Sequence, residues 1–314
     1  MVRWVAVAAC LLGLAFTGST IWRAGSDRIR KGTDDFLALY AGARLVGTPE
    51  LYHPPSIYRE EIRAAGMAGD TLVCTRMPWV PLLLWPLGQL PYQAAHAVWL
   101  ALRIAAVIAF IWIWPHNPKW IVAVAVSWFL PVMAALGTGQ DVIWVLFCLG
   151  VWQRLEPKRP FLSGMVLALC AAKFHLFLLL PVYLIANRRW RVIGGASTGV
   201  LLLLALSFAA NGRMWPLDYW RLLSNPVVML GQMYSLHGML SLSWAQELAL
   251  SMAVALAATW GIWRLGPANG LAIALSGSLL LSYHAFLMDC VVLLPALLLA
   301  LGRFTGARPS ACAA

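Results

Sequence analysis

The sequence predicts an all-α polytopic membrane protein, a bundle of about ten transmembrane helices with an outer-face loop that carries amphipathic helices. Of the 314 residues, 61% are hydrophobic and 11% are charged, and the mean hydropathy is +0.77. Soluble domains have roughly 45–50% apolar and about 25% charged residues. The apolar runs reach about 20 residues and lack the alternation of barrel strands, so we expect spanning helices. This composition excludes a soluble enzyme, a disordered chain and a secreted disulfide scaffold.

Ten apolar segments are the candidate spans of a single domain that covers residues 1–314. The first segment resembles a signal peptide, but we interpret it as an uncleaved anchor because everything after it is also membrane-embedded. Several segments are shorter than the ~20 residues that a perpendicular helix needs, and short spans that meet at a polar residue indicate broken helices around a cavity. The segments are 4–22, 91–114, 120–137, 141–155, 161–172, 174–187, 191–210, 245–264, 269–284 and 288–302.

The connections between the spans sort by charge. If successive spans cross the membrane in opposite directions, the basic loops all fall on one side. The positive-inside rule assigns that side, with a tail over 303–314, to the cytoplasm. The net charge of +11 therefore indicates membrane topology and not nucleic-acid binding. The cations of 23–31 conflict with this assignment, because they follow the first span and would lie outside. The assignment also requires that 78–90, about 20 Å long as a helix, does not cross; we interpret it as a re-entrant or interfacial segment.

Two less apolar regions, 23–77 and 211–244, lie on the outer face in this topology. Both are rich in Trp, Tyr, Met and Leu, so we expect them to lie along the membrane interface. In the first region, Asp34 or Asp35 stands where the N-cap of a helix is expected. The residues that share one face of that helix are Phe36, Leu39, Tyr40 and Ala43.

Polar residues from segments scattered along the chain fall near this outer face, and Lys173 stands out among them. An active site facing this side would produce the pattern, and so would ordinary polar loop ends. Lys173 fits the loop-end interpretation poorly because it lies within LALCAAKFHLFLLLPV. An ammonium at the bilayer centre costs at least ~2.5–3.5 kcal/mol, so it needs a counter-charge or a water-filled cavity. A phosphate is one such counter-charge; the alternatives are a snorkelling side chain or a packing pair with Asp289.

Spacing alone leaves the roles of the other polar residues open. Asp35 is either a general base that takes a proton from an attacking hydroxyl or an N-cap worth about 0.5–2 kcal/mol. With Asp34 beside it, one aspartate can cap while the other faces the cavity. Gln140, in GTGQD, suits hydroxyl recognition, but on spacing it is better explained as a polar residue at the end of a hairpin. On spacing, the histidines are better explained as interfacial residues than as ligands or bases.

The cysteines indicate neither a disulfide framework nor a metal site. Cys10, Cys148 and Cys170 lie inside apolar runs, and the six cysteines form no CxxC pair. We interpret them as small core residues. The sequence also contains no Gly-rich phosphate loop and no zinc-ligand spacing.

Five blocks along most of the chain are DDFLALYAGARLVGTPELYHPP, MPWVPLLLWPLGQLP, GQDVIWVLF, ALCAAKFHLFLLLPVYLIANRRWRV and SYHAFLMDCVVLLPALL. In this order they resemble glycosyltransferase family 87, multispanning transferases of the GT-C type that use a polyprenyl-phosphate-linked sugar, typically mannose. The resemblance implies a GT-C-like bundle. It matches Asp35 to the family's catalytic acidic residue, with Asp34 the weaker match, and Lys173 to the lysine of the family's Lys-x-x motif.

These observations lead to a hypothesis of hexose transfer, with mannose expected, from a polyprenyl phosphate carrier to an acceptor hydroxyl on the extracytoplasmic face of the plasma (inner) membrane. Asp35 is the expected base, and Lys173, His175 and Arg76 are the expected phosphate-binding residues. Because a phosphate leaves as a stable anion, we expect inversion in a single displacement, without metal or cofactor. The expected substrate-binding residues are Tyr40, Tyr52, Gln140, His237, His284 and Asp289.

Two alternatives to this hypothesis stay open at the level of sequence. A polytopic transporter or lipid-linked-sugar flippase also uses short broken helices and intramembrane charges. A structural subunit of an envelope-assembly complex would leave the polar residues inert. The acceptor of the transferase hypothesis, whether a glycolipid, a polysaccharide or a protein, is equally open.

Overall fold

The all-α class predicted from composition is confirmed. The computed structural model describes residues 2–66, 73–224 and 233–304, and these residues form helices and no strand. The predicted tail from residue 305 onward, and parts of the two predicted outer regions, lie outside the described residues. In chain order the helices are α1 (Val2–Lys31), α2 (Phe36–Leu45), α3 (Pro54–Ala65), α4 (Trp79–Gly88), α5 (Tyr92–Ile113), α6 (Lys119–Trp128), α7 (Leu130–Gly137), α8 (Val142–Leu155), α9 (Pro160–Ala168), a 3-10 helix (Leu169–Phe177), α10 (Leu180–Ala186), α11 (Trp190–Asn211), α12 (Trp215–Leu223), α13 (Leu236–Met239), α14 (Trp244–Arg264), α15 (Gly266–Leu281), a second 3-10 helix (Leu287–Leu293) and α16 (Leu294–Phe304).

Fewer helices are long enough to cross a bilayer than the sequence predicted. In the described part of the chain, five apolar segments qualify by length and composition: Trp4–Leu45, Tyr92–Ile113, Pro160–Phe177, Trp190–Asn211 and Trp244–Arg264. Helices α6 and α7 add a sixth only if they form one broken span, since they meet at 65°. The predicted count of about ten spans is not confirmed, because α8, α15 and the segment Leu287–Gly302 are apolar but only 10–17 residues long.

The bend between α6 and α7 has a local cause. Phe129 is extended at the junction, and Pro131 occupies the first turn of α7. A proline ring lacks the N–H of a helix interior and clashes with the preceding turn. The predicted single span 120–137 is therefore two helices.

Helical structure continues beyond the predicted end of the first span at residue 22 and reaches Lys31, with a kink at Gly25, whose angles are non-helical at φ −146° and ψ 19°. The apolar run ends near residue 22, but charged residues can continue a helix beyond an apolar segment. The helix ends at Gly32, which has a φ of +62°, and the N–H of Thr33 donates to the carbonyl of Arg28. A left-handed glycine with such a backbone bond is a common helix C-terminus.

Helix α2 is buried on nearly every side, which corrects the predicted amphipathic helix along the interface. Of its residues, Arg44 is exposed, and it donates to Glu60 of α3. The burial arises because α3, α4 and α5 all pack against α2. Helix α3 has an exposed face instead, and it buries Ile57 and Glu61.

The helix break at Lys173 agrees with the sequence pattern of short spans that meet at a polar residue. The predicted spans 161–172 and 174–187 form α9, the 3-10 helix Leu169–Phe177 and α10. Lys173 itself has non-helical angles, with φ −132° and ψ 55°. The second 3-10 helix, Leu287–Leu293, carries Asp289. Both charged residues thus lie on 3-10 segments that connect α-helices.

Helices α5 and α8 both run from the neighbourhood of Asp35 to the opposite end of the bundle. Helix α8 begins beside Asp141 and ends at Glu156, which forms a 3.2 Å ion pair with Arg189. Helix α5 begins near Gly32 and ends close to His116, which contacts Gln153 of α8 at 2.9 Å. Glu156, Arg189 and His116 therefore lie at the end of the bundle away from Asp35, whereas the cations in the last turn of α1 lie close to Asp35.

Helices α9 and α11 approach until their backbones touch. A Cβ on Gly195 would lie 1.9 Å from the carbonyl oxygen of Phe161, and a Cβ on Gly164 would lie 2.1 Å from that of Val192. Gly195 and Gly199 lie four residues apart on the same face. Small residues at this spacing allow close packing of membrane helices.

We predict that Gly195→Ala separates α9 from α11 and lowers the free energy of unfolding by about 1–3 kcal/mol, because the added methyl overlaps backbone atoms. Thermal unfolding in detergent measures the change. Gly194→Ala is the matched control, since its Cβ would meet nothing closer than 3.9 Å. Equal unfolding temperatures for the two variants would contradict the contact.

Glu61 is a buried carboxyl in the α2–α3 packing. Its side chain is 0% exposed, and neither oxygen has a hydrogen-bond partner among the residues that the structure describes. Burial disfavours the charged form and raises the pKa of Glu61 from 4.5 to about 8. Between these two values the folded protein holds one more proton than the unfolded chain.

We therefore predict that stability falls as the pH rises from 4.5 towards 8, by at most about 1.4 kcal/mol per pH unit, because the unfolded chain releases the proton first. Glu61→Gln should flatten this dependence and raise the unfolding temperature at pH 8. The exposed Glu50→Gln is the control. An unchanged pH dependence in Glu61→Gln would refute the assignment.

Candidate active site

The two adjacent aspartates between α1 and α2 have different contacts. The Oδ1 atom of Asp34 accepts the backbone N–H of Phe36 at 3.1 Å, and its Oδ2 lies 3.0 Å from Nε2 of His96. Asp35 makes no such capping bond; its carboxylate accepts from the amide nitrogen of Gln140. Asp34 is therefore the residue that holds the helix start, and Asp35 is the one that faces the polar cluster.

Gln140 occupies the turn between α7 and α8 and bridges two charged residues. The turn depends on Gly139, which has a φ of +75° and whose Cβ would lie 2.7 Å from the Asp34 carboxyl group. The Gln140 side chain donates from Nε2 to Asp35 and accepts at Oε1 from Nζ of Lys173 at 3.0 Å. A single amide thus links the acid and the lysine that the sequence analysis singled out.

Lys173 is 3% exposed and pairs with Asp289, which was one alternative left by the sequence. Its Nζ lies 2.5 Å from Oδ1 of Asp289 and 3.8 Å from Oδ1 of Asp141. The other carboxylate oxygen of Asp289 accepts the N–H of Phe286 at 3.0 Å. The buried charges therefore compensate one another, which is what a low-dielectric environment demands.

Arg76 joins the cluster through Asp141. Its Nε and Nη2 donate to the two Asp141 oxygens at 2.6 and 2.9 Å, a bidentate geometry. Together the cluster holds three carboxylates (Asp35, Asp141 and Asp289) and two cations, which leaves one negative charge in excess. Asp35 and Gln140 are half-buried, whereas Lys173 and Asp289 are buried behind them. A carboxylate with open lone pairs at the accessible side can accept a proton.

The three predicted histidines form a row of rings beside this cluster. The ring centroids of His175 and His284 are 6.1 Å apart, and Tyr283 lies between His284 and His237, 5.4 Å from the latter. His237 also contacts Glu247 at 2.7 Å. The Nε2 atom of His175 is buried and has no partner within the described ranges. His175 is therefore a ring of this row with a buried nitrogen that is open to a ligand.

The two predicted tyrosines contact backbone carbonyls and not the acid. The hydroxyl of Tyr40 donates to the carbonyl of Leu90, and that of Tyr52 donates to the carbonyl of Arg76, both at 2.7 Å. Both side chains are buried. Tyr52 therefore fixes the backbone of Arg76, whereas Tyr40 holds the turn between α4 and α5.

Sequence reasoning missed a polar stripe on α5. Tyr92, His96, Trp99 and Arg103 lie at i, i+4, i+7 and i+11 and contact, respectively, Gly32, Asp34, Gly139 and the carbonyls of Ala135 and Leu136. This spacing places all four on one helix face. The signal was present in the predicted span 91–114, as a polar residue in every turn of its first half.

Across residues 2–66, 73–224 and 233–304, the structure contains no group of three or more His, Cys, Asp or Glu side chains arranged to hold a metal ion. The five cysteines of the described ranges are free.

Comparison with known proteins gives one match. The model of glycosyltransferase family 87 matches residues 78–294, which is more than half of the chain. The matched range contains Gln140, Lys173 and Asp289 but begins after Asp35. No curated protein and no solved structure matches the chain. The family match confirms the resemblance seen in the sequence blocks: the chain belongs to glycosyltransferase family 87 and is a membrane glycosyltransferase.

Proposed function

We propose that this protein transfers a hexose, mannose by family resemblance, from a polyprenyl-phosphate-linked donor to an acceptor hydroxyl of a glycolipid, polysaccharide or protein. The observation that carries the proposal is the chain of contacts from Asp35 through Gln140 to Lys173 and Asp289. It brings a proton acceptor and a buried ammonium to either side of one amide. Transfer of a sugar from a phosphate diester needs a proton acceptor for the attacking hydroxyl and a cation for the leaving phosphate, and the two must lie close together.

In the proposed reaction, Asp35 removes the proton of the acceptor hydroxyl as its oxygen attacks the anomeric carbon. The bond from this carbon to the phosphate oxygen breaks, and polyprenyl phosphate leaves as an anion. The proton ends on Asp35. One displacement of this kind inverts the anomeric configuration, and the bond from Gln140 keeps the carboxylate oriented.

Lys173 and His175 are the proposed donors to the leaving phosphate. Lys173 has three N–H groups, of which two are directed at Gln140 and Asp289. The 3.8 Å from Nζ of Lys173 to Oδ1 of Asp141 is longer than a hydrogen-bond distance, so the third N–H can donate to a phosphate oxygen. His175 lies two residues away with its Nε2 unused in the described structure. Arg76, held on Asp141, adds positive potential rather than a free donor.

The remaining predicted substrate residues take different parts in this proposal. Gln140 is half-buried beside Asp35 and is the proposed contact for a sugar or acceptor hydroxyl. Asp289 orients Lys173, and His284 packs against His175. His237 lies at the far end of the histidine row.

We propose that the site faces the extracytoplasmic side of the plasma membrane. Arg189, in the basic loop between α10 and α11, lies with Glu156 at the end of the bundle opposite to Asp35, and basic loops are cytoplasmic in most membrane proteins. The polyprenyl tail of the donor would then reach the site from the bilayer, with its phosphate at the level of Lys173.

Asp35→Asn should reduce transfer from polyprenyl-phospho-mannose by about 10²–10⁴-fold, because the amide cannot take the acceptor proton. The assay follows labelled sugar from the donor to a membrane-lipid acceptor in nanodiscs, with glucosyl and galactosyl donors alongside. The donor KM should change little, since the lost step follows binding.

Asp27→Asn is the matched control, because it makes the same change at an exposed position of α1. It should transfer sugar at the rate of the unchanged protein. If Asp35→Asn kept that rate as well, Asp35 would not be the base. If no polyprenyl-linked hexose were transferred by the unchanged protein, the proposed donor class would be wrong.

A further inference from the structure

Arg103 is a fully buried cation in the middle of α5, which is one of the candidate spans. It is 0% exposed, and its Nη1 donates to the carbonyls of Ala135 and Leu136 at 2.9 and 3.0 Å. Arginine at the centre of a spanning helix is costly and rare. Its contacts are to the last turn of α7, where the carbonyls lack partners within the helix and the helix dipole is negative.

Trp99, which precedes Arg103 by four residues on α5, contacts the connection between α7 and α8. Its indole Nε1 donates to the carbonyl of Gly139 at 2.8 Å. The guanidinium of Arg103 lies over the Trp99 ring, 5.7 Å from its centroid. The ring also stacks on Phe36, with centroids 5.4 Å apart. Trp99 and Arg103 therefore act on the turn between α7 and α8 as one unit, which we call the α5 clamp.

This turn determines where both partners of the Asp35–Gln140 bond lie. The carbonyl of Thr138 accepts the backbone N–H of Asp35 at 2.9 Å. The N–H of Gln140 donates to the carbonyl of Ala135, which Arg103 also contacts. A shift of the turn would therefore move the acid and the amide that orients it.

We propose that Trp99 and Arg103 are positioning residues for sugar transfer, which set the geometry of Asp35 and Gln140 through the turn that they clamp. The inference rests on the proposed function, in which Asp35 is the base. The contacts of the clamp are to the turn and not to Lys173 or His175, the proposed donors to the phosphate. Its main effect is therefore expected on the chemical step and not on binding of the donor phosphate.

Trp99→Phe and Arg103→Gln test the proposal. Each is made in the unchanged protein and in the Asp35→Asn variant. The polyprenyl-phospho-mannose assay gives kcat and the donor KM, and single-turnover experiments give the rate of the chemical step. Each single variant should lower kcat by about tenfold to a hundredfold, while the donor KM stays within about threefold. Arg103→Lys keeps the charge and should recover part of the loss. In the Asp35→Asn background neither variant should lower the residual rate further, because the group that they position is already absent.

Trp144→Phe is the matched control for the indole. Trp144 packs 6.1 Å from Trp99, and its Nε1 has no partner in the described part of the chain. It should keep the kcat of the unchanged protein. If Arg103→Gln does not fold, Trp99→Phe, which keeps an aromatic ring at the stack, decides the question.

A kcat for Trp99→Phe equal to that of Trp144→Phe would overturn the proposal. It would also be overturned if Trp99→Phe reduced the rate by the same factor in the unchanged protein and in the Asp35→Asn variant. These failures differ from a failure of the proposed function. Full activity of Asp35→Asn would remove the base, whereas a normal Trp99→Phe beside an inactive Asp35→Asn would remove only the clamp.

Discussion

The buried ion pair between Lys173 and Asp289 is the interaction on which the rest of this site depends. An ammonium among apolar helices is stable only when a carboxylate compensates it, and Asp289 does so at 2.5 Å. The pair joins two 3-10 segments that lie more than a hundred residues apart in the chain. It also presents a fixed N–H to Gln140, which in turn holds Asp35. The position of the accessible acid thus follows from the compensation of a buried charge.

The residues of the candidate site differ in how deeply they are buried. Asp35 and Gln140 are half-buried at its accessible side, and the buried ion pair of Lys173 and Asp289 lies behind them. This order suits a reaction in which a hydroxyl arrives from water and a phosphate is held in the low-dielectric part of the site. The range that matches the family model includes Gln140, Lys173 and Asp289 but not Asp35. Asp35 therefore joins this cluster from a segment outside the matched range.

Sequence reasoning found the residues whose chemistry conflicts with their surroundings. Lys173 stood out because a charge in an apolar run needs a partner, and the pairing with Asp289 was one of the alternatives. The choice between Asp34 and Asp35 could not be made, because it depends on the position of His96, 62 residues away. Trp99 was missed because its role depends on the carbonyl of Gly139, forty residues away in the chain. The burial of α2 was missed because it depends on three other helices. The count of about ten spans is not confirmed, since apolar runs show hydrophobicity but not where a helix begins, ends or is broken, as at Pro131.

The most direct test of this account is the transfer rate and unfolding temperature of Lys173→Met, Asp289→Asn and the double variant. Each single change leaves a buried group without its partner, and Lys173→Met should cost about 3–5 kcal/mol of stability. The account predicts that the double variant regains most of the stability but not the transfer activity, because Gln140 and the donor phosphate still lack the ammonium. Recovery of transfer along with stability would contradict it, since Lys173 would then serve only the packing of the helices.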